Sequence, residues 1–170
     1  MRLAARLLIV ALLVASTACG WRLRGHGGSA SLEGVTLFVD ATAVSAELQA
    51  PLNRGLRAAG ATLSDEPQQA DAILKLLGET TQQRAASISA DARVQEYELI
   101  YNLRYQLQTA AGEPLVEEEN IQLSEVYPYD SSNVLGSQSR AANVTERLRQ
   151  DVTRMLLPRL QAVLRQAEQE

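Results

Sequence analysis

Between Tyr97 and Leu107 every odd position is large and apolar or aromatic: Tyr97, Leu99, Tyr101, Leu103, Tyr105 and Leu107. The even positions Glu96, Glu98, Asn102, Arg104, Gln106 and Gln108 are polar, with Ile100 the exception. A period of two held this long predicts one long strand with a buried face and a wet face. Because leucine alternates with the tyrosines, the rings read as core rather than as a stacking platform.

The remaining elements follow from the same patterning. Val35 to Val39 is β-branched and apolar on both faces and predicts a first strand. Val44, Leu48, Leu52 and Leu56 form one helical stripe that stops at Gly60, with Pro51 inside it, so this helix is either kinked at Pro51 or begins there. Residues 64–69 (Ser-Asp-Glu-Pro-Gln-Gln) read as a loop, and the run from Ala72 to Leu77 opens a second strand. Residues 110–114 (Ala-Ala-Gly-Glu-Pro) make a turn into a further strand from Leu115 to about Tyr127. The loop 127–133 then supplies helix-capping residues. Ala141, Val144, Leu148, Val152, Met155, Leu156, Leu160 and Val163 predict a long amphipathic helix that Pro158 should kink or end. The order β-α-β-β-β-α implies an α+β two-layer sandwich: a four-stranded mixed sheet with both helices on one face and the other face left exposed. Strand one can lie parallel to a neighbour through the helical crossover.

The first eighteen residues do not belong to that pattern. Arg2 and Arg6 precede the apolar run 7–14 and the small residues 15–18, which is the layout of a secretory signal peptide. The run is shorter than the roughly 20 apolar residues a membrane-spanning helix needs. Cys19 follows at once and is the only cysteine, so no disulfide within the chain is available to it. The only histidine is His26, which leaves no set of soft ligands for a metal site. Small residues ahead of a cysteine resemble the bacterial lipobox, which makes Cys19 the expected lipidation site, although Ser16 stands where lipoboxes usually carry Leu. The expected organisation is a removed signal peptide at 1–18, a lipidated tether at 19–31 with a Gly-rich centre, and one folded domain at 32–170.

The full chain carries a net charge of −4. Cleavage before Cys19 removes Arg2 and Arg6 from 16 basic residues against 20 acidic ones, leaving −6. A nucleic-acid partner is not expected at that charge. No Gly-rich phosphate loop, metal-ligand cluster or histidine in the folded part points to an enzyme. Glu117, Glu118 and Glu119 alternate faces as consecutive strand residues, do not converge on a site, and read as a solvated acidic edge. Asp91, Ala92 and Arg93 read as a hairpin tip. Arg140, Arg147, Arg149, Arg154, Arg159 and Arg165 are scattered around the last helix and read as a solvated face.

Cys19 followed by Gly20-Trp21-Arg22-Leu23-Arg24-Gly25, the strand segment 96–99, the loop at Tyr129 and Asp130, and Leu157-Pro158 in the last helix together resemble the LptE family across nearly all of the mature chain. That resemblance implies a non-catalytic outer-membrane lipoprotein, periplasm-facing, that sits as a plug inside the barrel LptD, assists its assembly and binds lipopolysaccharide during transport to the cell surface. Gly20, where Asp would signal inner-membrane retention, fits that address. The resemblance implies no cofactor; the attached group is a covalent N-acyl diacylglyceryl lipid on Cys19. The family's arginine for lipopolysaccharide falls on Ala90 or, with a shifted register, Arg93, and its lysine falls near Asn120; Arg93 is the candidate here, with Arg84 second. Trp21 and Leu23, flanked by Arg22 and Arg24, suit a membrane interface or packing against the barrel. The competing reading is a generic envelope lipoprotein whose α+β domain serves a transporter as an auxiliary or binding module.

Overall fold

The computed structural model describes residues 31–167. The signal peptide, Cys19, Trp21 and all of the tether but Ser31 lie outside the described residues. The order of elements is β1 (Thr36–Asp40), α1 (Ala46–Ala58), β2 (Thr62–Ser64), a 3-10 turn (Pro67–Gln69), β3 (Ala72–Ile88), β4 (Val94–Thr109), β5 (Pro114–Pro128) and α2 (Val134–Ala167).

The fold is α+β with two helices and a mixed sheet, but the sheet has five strands rather than four, ordered β2-β1-β3-β4-β5. The strand missing from the sequence reading is β2, whose first pair is Thr36 with Thr62 and which runs parallel to β1. Three residues are too few to show a period, and Ser64, expected in a loop, is the last of them. β1 also pairs in parallel with β3, through the expected helical crossover, and β3-β4-β5 is an antiparallel meander.

The long alternating strand is as its pattern predicts. Leu99, Tyr101, Leu103, Tyr105 and Leu107 of β4 are buried in one core with Leu37 of β1, Leu74 of β3, Ile121 of β5 and both helices. α1 contributes Leu48, Leu52 and Leu56, and α2 contributes Val144, Leu148, Val152, Leu156, Leu160 and Leu164. Met155 of the predicted stripe is 39% exposed, and Leu164 takes a core position that the stripe did not include.

Pro51 and Pro158 both sit inside helices. α1 begins at Ala46, five residues before Pro51, so Pro51 is not its first turn. α2 begins at Val134 and runs on past Pro158 to Ala167, so Pro158 does not end it. Leucines on both sides of each proline are buried, and that packing offsets the loss of one intrahelical hydrogen bond. α1 ends where the sequence placed its stop: Gly60 adopts φ +95°, its N–H donates to the Arg57 carbonyl at 3.0 Å, and the Ala61 N–H donates to the Leu56 carbonyl at 3.0 Å. This is the paired closure that a left-handed glycine permits. The helices cross closely at Gly55, where an added Cβ would lie 3.0 Å from Thr153 Cγ2.

Candidate functional site

The sheet is much longer than the helical layer over β3. From Thr80 to Ala86 every residue of β3 is exposed, whereas Ala72, Ile73, Leu74 and Leu76 are buried. The far halves of β3 and β4, with the end of β5, therefore extend as an arm, and the candidate arginines lie on it.

Arg93 stands at the tip, where Asp91, Ala92 and Arg93 do form the β3-β4 turn. The Ser89 N–H donates to the Arg93 carbonyl at 2.8 Å, and Ala92 takes φ 60°. The Arg93 guanidinium lies 3.2 Å from Asp91, with 76% of its side chain exposed. Arg84 lies further down β3, opposite Glu98, and its Nε donates to that carboxylate at 2.5 Å. Ser124 and then Arg84 hold the Glu98 carboxyl below its ordinary range. Neither arginine is sequestered from solvent, and exposed pairs of this kind are worth about 0–1 kcal/mol, little enough for an anionic ligand to displace the carboxylate.

Around these arginines the arm carries apolar groups that no helix covers. Arg84, Glu98 and Val126 form one cross-strand row, and Ile88 pairs with Val94. Ile88 is 64% and Val126 50% exposed. By strand alternation Val94 shares the face of Glu98, so isolated apolar side chains and both cations lie on or next to one wet face. At the same end, Tyr97 meets Tyr129 edge-on at 5.0 Å between ring centroids and Tyr127 at 6.2 Å. The start of α2 adds the exposed Val134 and Leu135. The Ser137 hydroxyl donates to the Asp130 carbonyl at 3.3 Å and accepts from its N–H at 3.0 Å, fixing the loop between β5 and α2. Ile88, Val94 and Val126 were not singled out in the sequence, because single valines and isoleucines in a polar strand show no period.

Asn120, the other position implied by the resemblance, lies well away from the tip. It is on β5, paired with Arg104, and its side-chain amide donates to Asn102 at 3.4 Å. The structure does not bring it together with Arg93. Asn120 instead borders a groove of about 540 Å³ between β5 and α2, together with Tyr105, Glu119, Arg159 and Val163.

The helix arginines are not merely a solvated face. Arg147 bonds to Glu125 on β5, Arg159 reaches Glu119 on β5 at 3.3 Å, and Arg149 approaches Glu79 on β3 at 3.7 Å. Arg154 pairs along the helix with Asp151. The acidic triplet splits as alternation requires: Glu118 meets Arg104 at 3.1 Å on the wet face, and Glu119 meets Arg159 and the Tyr105 hydroxyl, the latter at 2.6 Å, under the helix. The triplet is thus partly a helix anchor rather than only a solvated edge. Burial, with Glu119 next, pushes the Tyr105 phenol up to about 12.

Among the ion-paired groups of the described residues Glu79 is the most enclosed, with 13% of its side chain exposed. It accepts from the Ser45 N–H at 2.8 Å and from the Tyr101 hydroxyl. The Ser45 hydroxyl is buried beside it without meeting hydrogen-bond geometry. Burial alone would raise its carboxyl; Ser45, Tyr101 and Arg149 together outweigh burial and hold it below 4.5. The cluster ties the start of α1 and the middle of α2 to β3 and β4 where the covered sheet gives way to the arm.

No helix among the described residues is long and apolar enough to cross a membrane, and no group of three or more His, Cys, Asp or Glu among them is placed to hold a metal ion.

Known proteins place this architecture. The lipoprotein B of Nitrosomonas europaea, solved in solution, superposes with a TM-score of 0.67 at 19% identity, over 84% of this chain and 91% of that one. The rare lipoprotein B of Shewanella oneidensis gives 0.67 at 18% identity, over 78% and 98%. A minor lipoprotein of Acinetobacter baumannii gives 0.61 at 18% identity, over 75% and 90%. At such identities the likeness speaks for the fold. No curated protein sequence matches this chain. The family model LptE, described as lipopolysaccharide-assembly, matches residues 31–160. The chain belongs to the LptE family of lipopolysaccharide-assembly proteins.

Proposed function

We propose that this chain is a non-catalytic outer-membrane lipoprotein, anchored through an acylated Cys19, that plugs an LptD-like barrel, assists its assembly and binds lipopolysaccharide during its delivery to the cell surface. The observation that carries this reading is the family match over residues 31–160.

The geometry supports it in two ways. Lipopolysaccharide joins phosphates to acyl chains, and the arm sets Arg93 and Arg84 beside exposed Ile88 and Val126. Arginine suits phosphate through its planar fork of donors. The uncovered sheet face, with Asn102, Arg104, Glu118 and Asn120, suits the polar interior of a large barrel.

Binding of lipopolysaccharide to the detergent-extracted full chain tests the ligand half of the reading. Saturable binding that lipid A phosphates displace is expected; binding no stronger than to a neutral glycolipid contradicts it. Metabolic fatty-acid labelling tests the anchor: the wild type takes up label and Cys19→Ser does not, whereas label persisting in that variant removes the lipobox assignment.

A further inference from the structure

β3 has two unlike halves. Its first residues are paired on both sides, but β1 ends at Asp40, opposite Lys75. From there β3 continues to Ile88 with β4 on one side and no strand of the described residues on the other. Pairing with β4 is regular over 78–85, between irregularities at Leu76/Gly78 and at Ala85/Ser87. Within that window Thr80 to Ala85 are exposed, so the strand is wet on both faces as well as along its edge. Residues of an edge strand turn their N–H and C=O outward at alternate positions, so the window offers about four of each to another backbone.

Free edges are normally defended. β5, the long edge on the other side of the sheet, has Pro114 and Pro128 at its ends, Glu117, Glu118 and Glu119 in its body, and an irregular register between Tyr105 and Gln108. The 78–85 window (Gly-Glu-Thr-Thr-Gln-Gln-Arg-Ala) has no proline and no lysine. Both of its charges have partners in the sheet: Glu79 is enclosed with Tyr101 and Ser45, and the exposed Arg84 is paired across the strand with Glu98. Neither is left to repel an incoming strand.

We propose that the 78–85 edge of β3 is the docking site for one extended segment of the barrel partner, which joins the sheet as an additional antiparallel or parallel strand. This rests on the barrel-plug reading above and specifies how the contact is made. Two features of the window favour this occupant over a second copy of the chain. Its side chains are Thr, Gln, Arg, Glu and small residues, which gives nothing for the apolar centre of a stable homodimer. Main-chain pairing supplies affinity without such a centre, and an edge wet on both faces suits the hydrated inside of a barrel.

Single prolines at Thr80, Thr81, Gln82 and Gln83, in the tagged full chain co-expressed with its LptD-like barrel, test the proposal. Two alternate positions direct their N–H outward and accept proline with an unchanged melting temperature, while the other two disrupt pairing with β4. The fold-neutral pair is expected to lower the barrel retained after mild detergent extraction at least tenfold. Retention equal to wild type by both fold-neutral variants overturns the docking and leaves the plug reading standing. Failure of the wild-type chain itself to retain the barrel overturns that reading and the docking with it. A photo-crosslinker at Gln82 gives a second readout independent of proline. A product with the barrel polypeptide is expected, and a product with a second copy or with residues 19–30 of the same chain overturns the proposal.

Discussion

Glu79 and Arg93 are charged residues of opposite character. Glu79 is enclosed by Ser45, Tyr101 and Arg149, and its carboxyl is held below 4.5. The unfolded chain therefore takes up a proton there more readily than the folded one. The stability it contributes is complete above the unfolded value near 4.5 and is lost as pH falls towards the lower folded value. Glu79→Gln should destabilise the domain by about 1–3 kcal/mol at neutral pH, since it leaves Arg149 without its carboxylate partner. The gap between variant and wild type in urea midpoint should narrow below pH 4.5; a constant gap contradicts the assignment. The Arg93 guanidinium pairs with Asp91 at an exposed turn whose backbone bonds to Ser89 do not depend on the side chain, so Arg93→Glu should leave the midpoint within about 0.5 kcal/mol of wild type. If it meets a phosphate, the same substitution weakens lipopolysaccharide binding by about tenfold, the loss of one charge-assisted hydrogen bond. Unchanged binding removes Arg93 from the site.

The elements differ in how much of them the sequence reveals, and the difference is physical. β4 was legible because one of its faces is buried from Leu99 to Leu107, which forces a period of two over that stretch. The outer half of β3 has no buried face, so Thr80 to Ala86 carry no alternation and only the first six residues of a 17-residue strand could be read. β2 is too short to signal at all. The hairpin tip at Arg93 was legible from its turn residues, whereas the approach of Arg149 to Glu79 joins positions 70 residues apart and is created only by packing. The weight of the buried period is measurable. Leu103 is fully buried in the central part of β4, so Leu103→Ala should cost about 2–5 kcal/mol, read as a shift of urea midpoint without a change of slope. A cost under 1 kcal/mol would show that β4 is not the spine of the core.

At the scale of the whole molecule the design is asymmetric. One sheet face is closed by two helices, α2 locked to the strands through Arg147, Arg149 and Arg159 and the start of α1 through Ser45 and Glu79, while the other face and the arm are left to water. Its parts suit a rigid insert: an aliphatic core, paired charges at the seams, an open strand edge and a turn that exposes Arg93. On the reading proposed above, such a domain does its work by what it sits in. The measurement that tests this most directly is extraction of the full-length chain and an LptD-like barrel from the same cells in mild detergent, followed by purification on a tag carried by the chain. The account predicts that the two leave the membrane as one stoichiometric complex, and that barrel made without the chain is misassembled. A chain that purifies alone, beside a barrel that assembles correctly in its absence, would contradict it.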